Sequence, residues 1–189
     1  MQARSKLLAA ALCLSIYATS GIAAPGDELP PISVQVKKNG DNVTVDASFS
    51  VTVPPKLAWE VLTDFGHMSN FISNVTFSSI TEQHGNTLQV AQKGAANHGP
   101  LSFSFNSIRA IELSPIEKIT SHMISGSMKK LDGTTTLRAE GGGTRVVYHA
   151  DSIPDTYVPP VIGPKFIENE TRHQFEEMRI EMLRRREPS

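Results

Sequence analysis

Six histidines are the first residues to weigh for chemistry, because an imidazole can trade protons near neutral pH or hold a metal ion. They stand at His67, His84, His98, His122, His149 and His173, and none shows a paired spacing such as two on one helical turn beside a glutamate. A metal site is not expected. His84 and His98 fall near turns, and His173 falls on a helix side opposite the apolar residues of that helix. His122 and Tyr148 are the strand residues able to act as acid and base, with Asn106 as a further polar group that a pocket could use. Chance placement on a strand is the simpler reading of each, so no catalytic residue is assigned. Gly141 to Gly143 lead into a strand instead of a helix N-terminus with a lysine, so they form a hairpin turn and not a phosphate loop. Asn42, Asn74 and Asn169 begin glycosylation-type triplets, which matter only in a eukaryotic secretory host. No cofactor is implied.

The element best defined by its own residues is the end of the chain, Pro164 to Arg186. Ile167, Thr171, Phe175, Met178 and Met182 recur at helical spacing and fall on one stripe. Gly163 and Pro164 mark a start, Glu168 and Glu170 sit in the first turns, and Arg184 to Arg186 crowd the last, as the helix dipole favours. Glu168/Arg172 and Glu181/Arg185 are one turn apart, each pair worth a few tenths of a kcal/mol on an exposed face. Packing must supply the rest of the stability. The preceding chain reads as strands, so the expected partner is a curved antiparallel sheet.

Ile32, Val34 and Val36 alternate with polar residues, Asn39 and Gly40 supply a turn, and Val43, Val45, Ala47, Phe49, Val51 and Val53 alternate again, which predicts a hairpin. Pro54 and Pro55 stop the strand, and Leu57 to Phe65 follow helical spacing, with Trp59 expected as a packing anchor and a further turn over Met68 to Ile72. Strands are expected over 75–83, 87–93, 100–113, 116–125, 127–140 and 144–152, separated by breaks that contain Gly or Pro. Leu101, Phe103 and Phe105 have one parity and Ile108 and Ala110 the other, so a bulge near Asn106 and Ser107 is expected to keep all of them inward. Ile153 to Pro160 reads as an extended link.

Arg4 and Lys6, an apolar run from Leu7 to Tyr17 and small residues ending at Ala24 predict a signal peptide over 1–24, cleaved after Ala23 or Ala24. Residues 25–31 read as a mobile leader and 32–186 as one domain. The expected location is outside the cytoplasm, periplasmic or secreted, with no membrane span once the signal is removed. Cys13 is the sole cysteine, so the mature chain has no disulfide and relies on its core. A net charge of -1 offers no basic footprint for nucleic acid. A monomer is expected.

The segment Val53 to Phe65, followed by His67 to Ile72, resembles the opening of START-like helix-grip proteins. The turn and strand Gly142 to Tyr148 and the long last helix look like the same superfamily, with the polyketide cyclase and coenzyme Q-binding branch as the nearest likeness. It covers roughly Val43 to Arg185. Phe65 stands where a tyrosine is expected and Ser73 where a proline often follows. The resemblance implies an α+β helix-grip fold: a curved antiparallel sheet wrapped around a long C-terminal helix, with a short helix pair after the first long strand.

It also implies an apolar cavity between sheet and helix that takes a hydrophobic small molecule. Phe71, Phe77, Phe103, Phe105 and Phe175, with Met68, Met123, Met178 and Met182, fall on segments facing that space, and methionine suits an adaptable apolar wall. The ligand-binding candidates are Met68, Phe71, Phe103, Phe105, Met123, Tyr148, Phe175, Met178 and Met182, with Asn106 and His122 as possible polar groups. The function expected is a non-catalytic exported carrier of a lipid, quinone or polyketide-like molecule. An aromatase/cyclase-type enzyme using the same cavity, and a protein interaction module, are the alternatives.

Overall fold

The computed structural model describes residues 30–98, 101–155, 158 and 162–186. The predicted signal peptide and most of the leader lie outside the described residues. Two strands open the fold, β1 (Ser33–Asn39) and β2 (Asn42–Val51), followed by helix α1 (Pro55–Leu62) and a 3-10 turn (Met68–Asn70). Six strands follow: β3 (Val75–His84), β4 (Thr87–His98), β5 (Leu101–Ser114), β6 (Lys118–Gly126), β7 (Met128–Glu140) and β8 (Gly143–Pro154). Helix α2 (Ile162–Arg186) closes the chain. The eight strands form one antiparallel sheet in the order β1-β2-β8-β7-β6-β5-β4-β3. This is the expected helix-grip arrangement, with α2 packed against α1, β1 and β2.

Strict alternation in β2 buries Val43, Val45, Ala47, Phe49 and Val51, while their neighbours stay partly exposed. Phe49, Val53, Val61, Val90, Ile111, Val146 and Met182 are fully buried and anchor one continuous core. Pro54 and Pro55 start α1 where a missing N–H costs nothing, and the Thr63 hydroxyl closes its far end on the Trp59 carbonyl at 2.8 Å. Ala58 and Val61 lie fully buried beneath α1, whereas Trp59, expected as the anchor, is half-buried at the edge of the core.

The bulge expected near Asn106 and Ser107 is absent. β5 pairs with β4 residue for residue from Leu101 to Glu112, and the irregularity lies in β6, where Ile124 is the extra residue between the pairs Ile108/Ser125 and Arg109/Met123. β5 is an interior strand, so a bulge in it would break ladders on both sides. β6 can absorb one because its pairing with β7 stops at His122 and Asp132. Phe105, Ser107, Arg109 and Ile111 therefore share one face, and alternation turns Ile108 and Ala110 to the other. A second shift, at Thr76 in β3, puts Val75 inward and leaves Phe77 exposed, contrary to its expected place on the inner wall.

β4 runs further than expected, to His98, because Gly94 permits a crossing. A Cβ there would stand 2.0 Å from the Asn74 carbonyl oxygen and 2.4 Å from the Phe105 ring. The Asn74 carbonyl instead accepts a hydrogen bond from the Ala95 N–H at 3.0 Å.

Helix α2 begins two residues before Pro164, so Glu168 lies beyond its first turn and acts through side chains instead of the dipole. It accepts from Arg172 at 2.6 Å and Lys165 at 3.1 Å. Arg184 to Arg186 do occupy the last turn, and Glu181 accepts from Arg185 and Arg184, each at 2.7 Å. The helix is held along its length. Arg179 donates to the Pro30 carbonyl at 2.9 Å and Arg172 to the Ile32 carbonyl, while Gln174 donates to Asn74 at 2.9 Å. Pro30, in the expected leader, is therefore fastened to α2.

Candidate functional site: a cavity between sheet and helix

A cavity of about 330 Å³ lies between the inner face of the sheet and α2. Helix α2 contributes Thr171, Gln174, Phe175 and Met178, and α1 and its following turn contribute Leu62, Phe65, Met68 and Ile72. The sheet supplies the floor. Phe175 sits at the centre of the aromatic wall, with ring centroids 5.6 Å from Phe49 and 5.5 Å from Tyr148, the latter edge-on. Between β6 and β7 the ladder stops, and Met123, Ser127, Met128 and Leu131 line the cavity beside this gap. Ser127 N–H donates to the Asn106 carbonyl at 3.0 Å, and Gly126, at φ 142, makes room for that contact.

Seven of the expected site residues line this space: Met68, Phe105, Asn106, Met123, Tyr148, Phe175 and Met178. Four others do not. Phe71 ends the 3-10 turn pointing to a surface cleft with Asp64, His67 and Arg185, whose guanidinium carbon lies 5.5 Å from the Phe71 ring centroid. Its neighbour Ile72 takes the inward place. Met182 lies one turn beyond Met178 and is sealed in the core at 0% exposure. His122 points to the outer face, where its Nδ1 meets Asp132 at 2.8 Å, because β6 alternation sends Ser121 and Met123 inward. Phe103 lies on β5, and its side chain is outside the described residues.

Sequence reasoning missed a polar band across the cavity floor. Ser78 on β3, Gln92 on β4, Arg109 on β5 and Ser121 on β6 form a chain of side-chain contacts. Gln92 Nε2 donates to Ser78 Oγ at 3.0 Å and touches Met68 Sδ at 3.2 Å, and Ser78 Oγ donates to the Phe65 carbonyl. Arg109 donates to Gln92 Oε1 and, at 3.5 Å, to Ser121 Oγ. Its Nε is buried without a hydrogen-bond partner. Burial lowers the Arg109 pKa, opposed by the nearby Tyr148, and burial raises the Tyr148 pKa, opposed by Arg109. The signal was present in the parity of Leu88, Val90 and Gln92 on β4 and of Phe105, Arg109 and Ile111 on β5. The expected bulge hid it.

Of the remaining histidines, His67, His84, His149 and His173 are exposed, and the His98 side chain is outside the described residues. His149 Nδ1 lies 2.7 Å from Asp46 on the outer face, a hydrogen bond that raises its pKa, helped by Asp151. His173 is exposed on α2, 3.1 Å from Ser73 Oγ. Among the described residues no group of three or more His, Cys, Asp or Glu side chains is placed to hold a metal, and no helix is long and apolar enough to cross a membrane.

The fold matches a STAR-related lipid transfer protein from Xanthomonas axonopodis with a TM-score of 0.68 at 11% identity, covering 82% of this chain and 97% of that one. It matches the Zhui aromatase/cyclase from a Streptomyces species at 0.63 and 16% identity, covering 77% and 96%. It matches a START superfamily protein from Mycobacterium smegmatis at 0.65 and 13% identity, covering 75% and 97%. No curated protein matches the chain by sequence. The sequence model of one family, described as polyketide cyclase / dehydrase and lipid transport, matches residues 51–179. That span is more than half the chain and contains α1, most of the sheet and the cavity-facing turns of α2, so the protein belongs to the polyketide cyclase / dehydrase and lipid transport family.

Proposed function

We propose that this protein is an exported, non-catalytic carrier of a hydrophobic small molecule of the lipid, quinone or polyketide class. The observation that carries this reading is the cavity itself. Its volume falls at the lower end of the range for small-molecule sites, and aromatic, aliphatic and thioether side chains form most of its wall. Among the described residues its ionisable lining groups are Arg109 and Tyr148. A phenol whose pKa is raised by burial and a guanidinium both hold their protons at neutral pH, which suits binding better than proton abstraction.

Native mass spectrometry of the protein purified from its own host tests the reading. A one-to-one adduct of an apolar molecule is expected, together with saturable uptake of an environment-sensitive dye that such a molecule displaces. Ligand-free protein that takes up no dye refutes it. A cyclase reading draws on one specific feature, the juxtaposition of Arg109 and Tyr148, which could polarise a carbonyl. Chemical change of a polyketide-like chain at rates abolished by Tyr148→Phe would favour that reading instead. Export is supported by the basic, apolar and small-residue order of the first 24 positions. Sequencing of exported protein is expected to begin at Ala24 or Pro25, and recovery of Met1 there overturns this part.

A further inference from the structure

The geometry points to a ligand with an acidic head: an amphiphile carrying one carboxylate, whose head group meets Arg109 on the cavity floor while its apolar body lies against Phe175 and Met178. The inference rests on the carrier reading above and adds the ligand's charge.

A guanidinium has five N–H donors. The described partners of Arg109 use two, one on Gln92 Oε1 and one at the outer limit of hydrogen bonding on Ser121 Oγ, and both acceptors are neutral. Nε is enclosed without a partner. Three partly buried arginines of α2 meet carboxylates, Arg172 with Glu168, Arg179 with Glu176, and Arg185 with both Asp64 and Glu181, whereas Arg145 on the outer face of β8 donates to the hydroxyls of Ser50 and Ser48. No Asp or Glu is among the described residues that line the cavity, so among them Arg109 stands as a charge without a countercharge. An enclosed charge is costly unless it is paired, and a bound carboxylate would supply the pair with charge-assisted hydrogen bonds. Arg109 is also the one Lys, Arg or His among the described lining residues. One cation balances a monoanion, and a phosphate monoester, at about -1.5 to -2 near neutral pH, would leave charge uncompensated. Ser121 and Tyr148 lie on the same floor and offer hydroxyls to a second carboxylate oxygen.

The test compares three probes that share one saturated twelve-carbon chain and differ in the head: the carboxylate, the alcohol and the methyl ester. Affinities are measured by dye displacement and calorimetry on the full mature chain at neutral pH. The carboxylate is expected to bind at least about tenfold more tightly than the alcohol or ester, the difference a charge-assisted hydrogen bond gives over a neutral one. Arg109→Met should bring the carboxylate down to the affinity of the alcohol and leave the alcohol nearly unchanged, and Arg109→Lys should keep part of the preference. Alcohol and carboxylate binding alike to the unaltered protein overturns the acidic head while sparing the carrier reading. Failure of all three probes and the dye to bind removes the carrier reading and this inference with it. Arg109→Met weakening acid and alcohol equally also overturns the inference, because the arginine would then be shaping the cavity and not selecting a charge.

Discussion

Met178 and Met182 stand one turn apart on the same stripe of α2, yet the structure gives them different surroundings, and that difference can be measured. Met182 is sealed at 0% exposure in the core, so Met182→Ala should leave a void and cost about 2 to 5 kcal/mol, the range for buried methionine truncations. Met178 is half-buried and faces the cavity, so some of the atoms that would surround it in a solid core are already absent. Met178→Ala should cost only about 1 to 2 kcal/mol, since the cavity term of the truncation is largely present beforehand. For a domain of this size a gap of about 2 kcal/mol separates the two melting temperatures by roughly 4 to 8 °C. Urea unfolding of both variants checks the free energies, with the slope m unchanged. Binding should show the reverse order: Met178→Phe fills the space and is expected to weaken uptake of an environment-sensitive dye about tenfold with little change in melting temperature. Equal losses from the two alanine variants, with dye affinity unaltered in Met178→Phe, would show that the stripe packs as one solid core and refute the cavity assignment along the whole helix.

Two further outcomes follow from single contacts. Gly94→Ala should destabilise the fold by about 1 to 3 kcal/mol in denaturant and lower dye affinity, because the new methyl meets the Asn74 carbonyl and displaces Phe105 from the cavity wall; a loss below about 0.5 kcal/mol would mean that the crossing relaxes freely. The acid limb of stability should depend on Glu181, whose pKa falls from 4.5 to about 2 through its hydrogen bond from Arg184, against burial, and with that from Arg185. A lowered carboxylate pKa stabilises the fold above pH 4.5, and that share, on the order of 3 kcal/mol, is lost as pH falls toward 2; Glu181→Gln should flatten the melting-temperature profile across this window, and an unchanged profile refutes the assignment.

Much of the architecture was legible because periodicity and punctuation agree. The alternation of Val43 to Val51, the double proline at Pro54 and Pro55, and the spacing from Ile167 to Met182 each constrain one element, and those elements together leave few ways to bury their apolar faces. Neighbouring positions were harder. Phe71 and Ile72 are both apolar and adjacent, so composition cannot say which one a 3-10 turn sends inward. Backbone geometry at the turn decides it. Phe77 reads as core until one extra residue, Thr76, reverses its face.

Arg109 shows why the chemistry of the floor was less legible than its shape. An expectation that apolar residues must all face inward asks for a bulge to save Ile108 and Ala110, and that bulge would send position 109 outward. The structure keeps the ladder of an interior strand intact and accepts two apolar residues on the outer face. Ladder bonds on both sides of β5 weigh more than the burial of one isoleucine and one alanine, since each broken and unsatisfied pair costs about 1 to 3 kcal/mol. The consequence is an arginine, a glutamine and two serines set into the face that packs toward α2. Such groups weaken a core that has no use for them. Arg109→Met should therefore raise thermal stability by a few degrees, because the uncompensated guanidinium is removed and the Gln92 carbonyl it leaves behind borders the cavity, where water can reach it. A melting temperature lowered by several degrees would show that the arginine is held for the fold and not for a bound molecule.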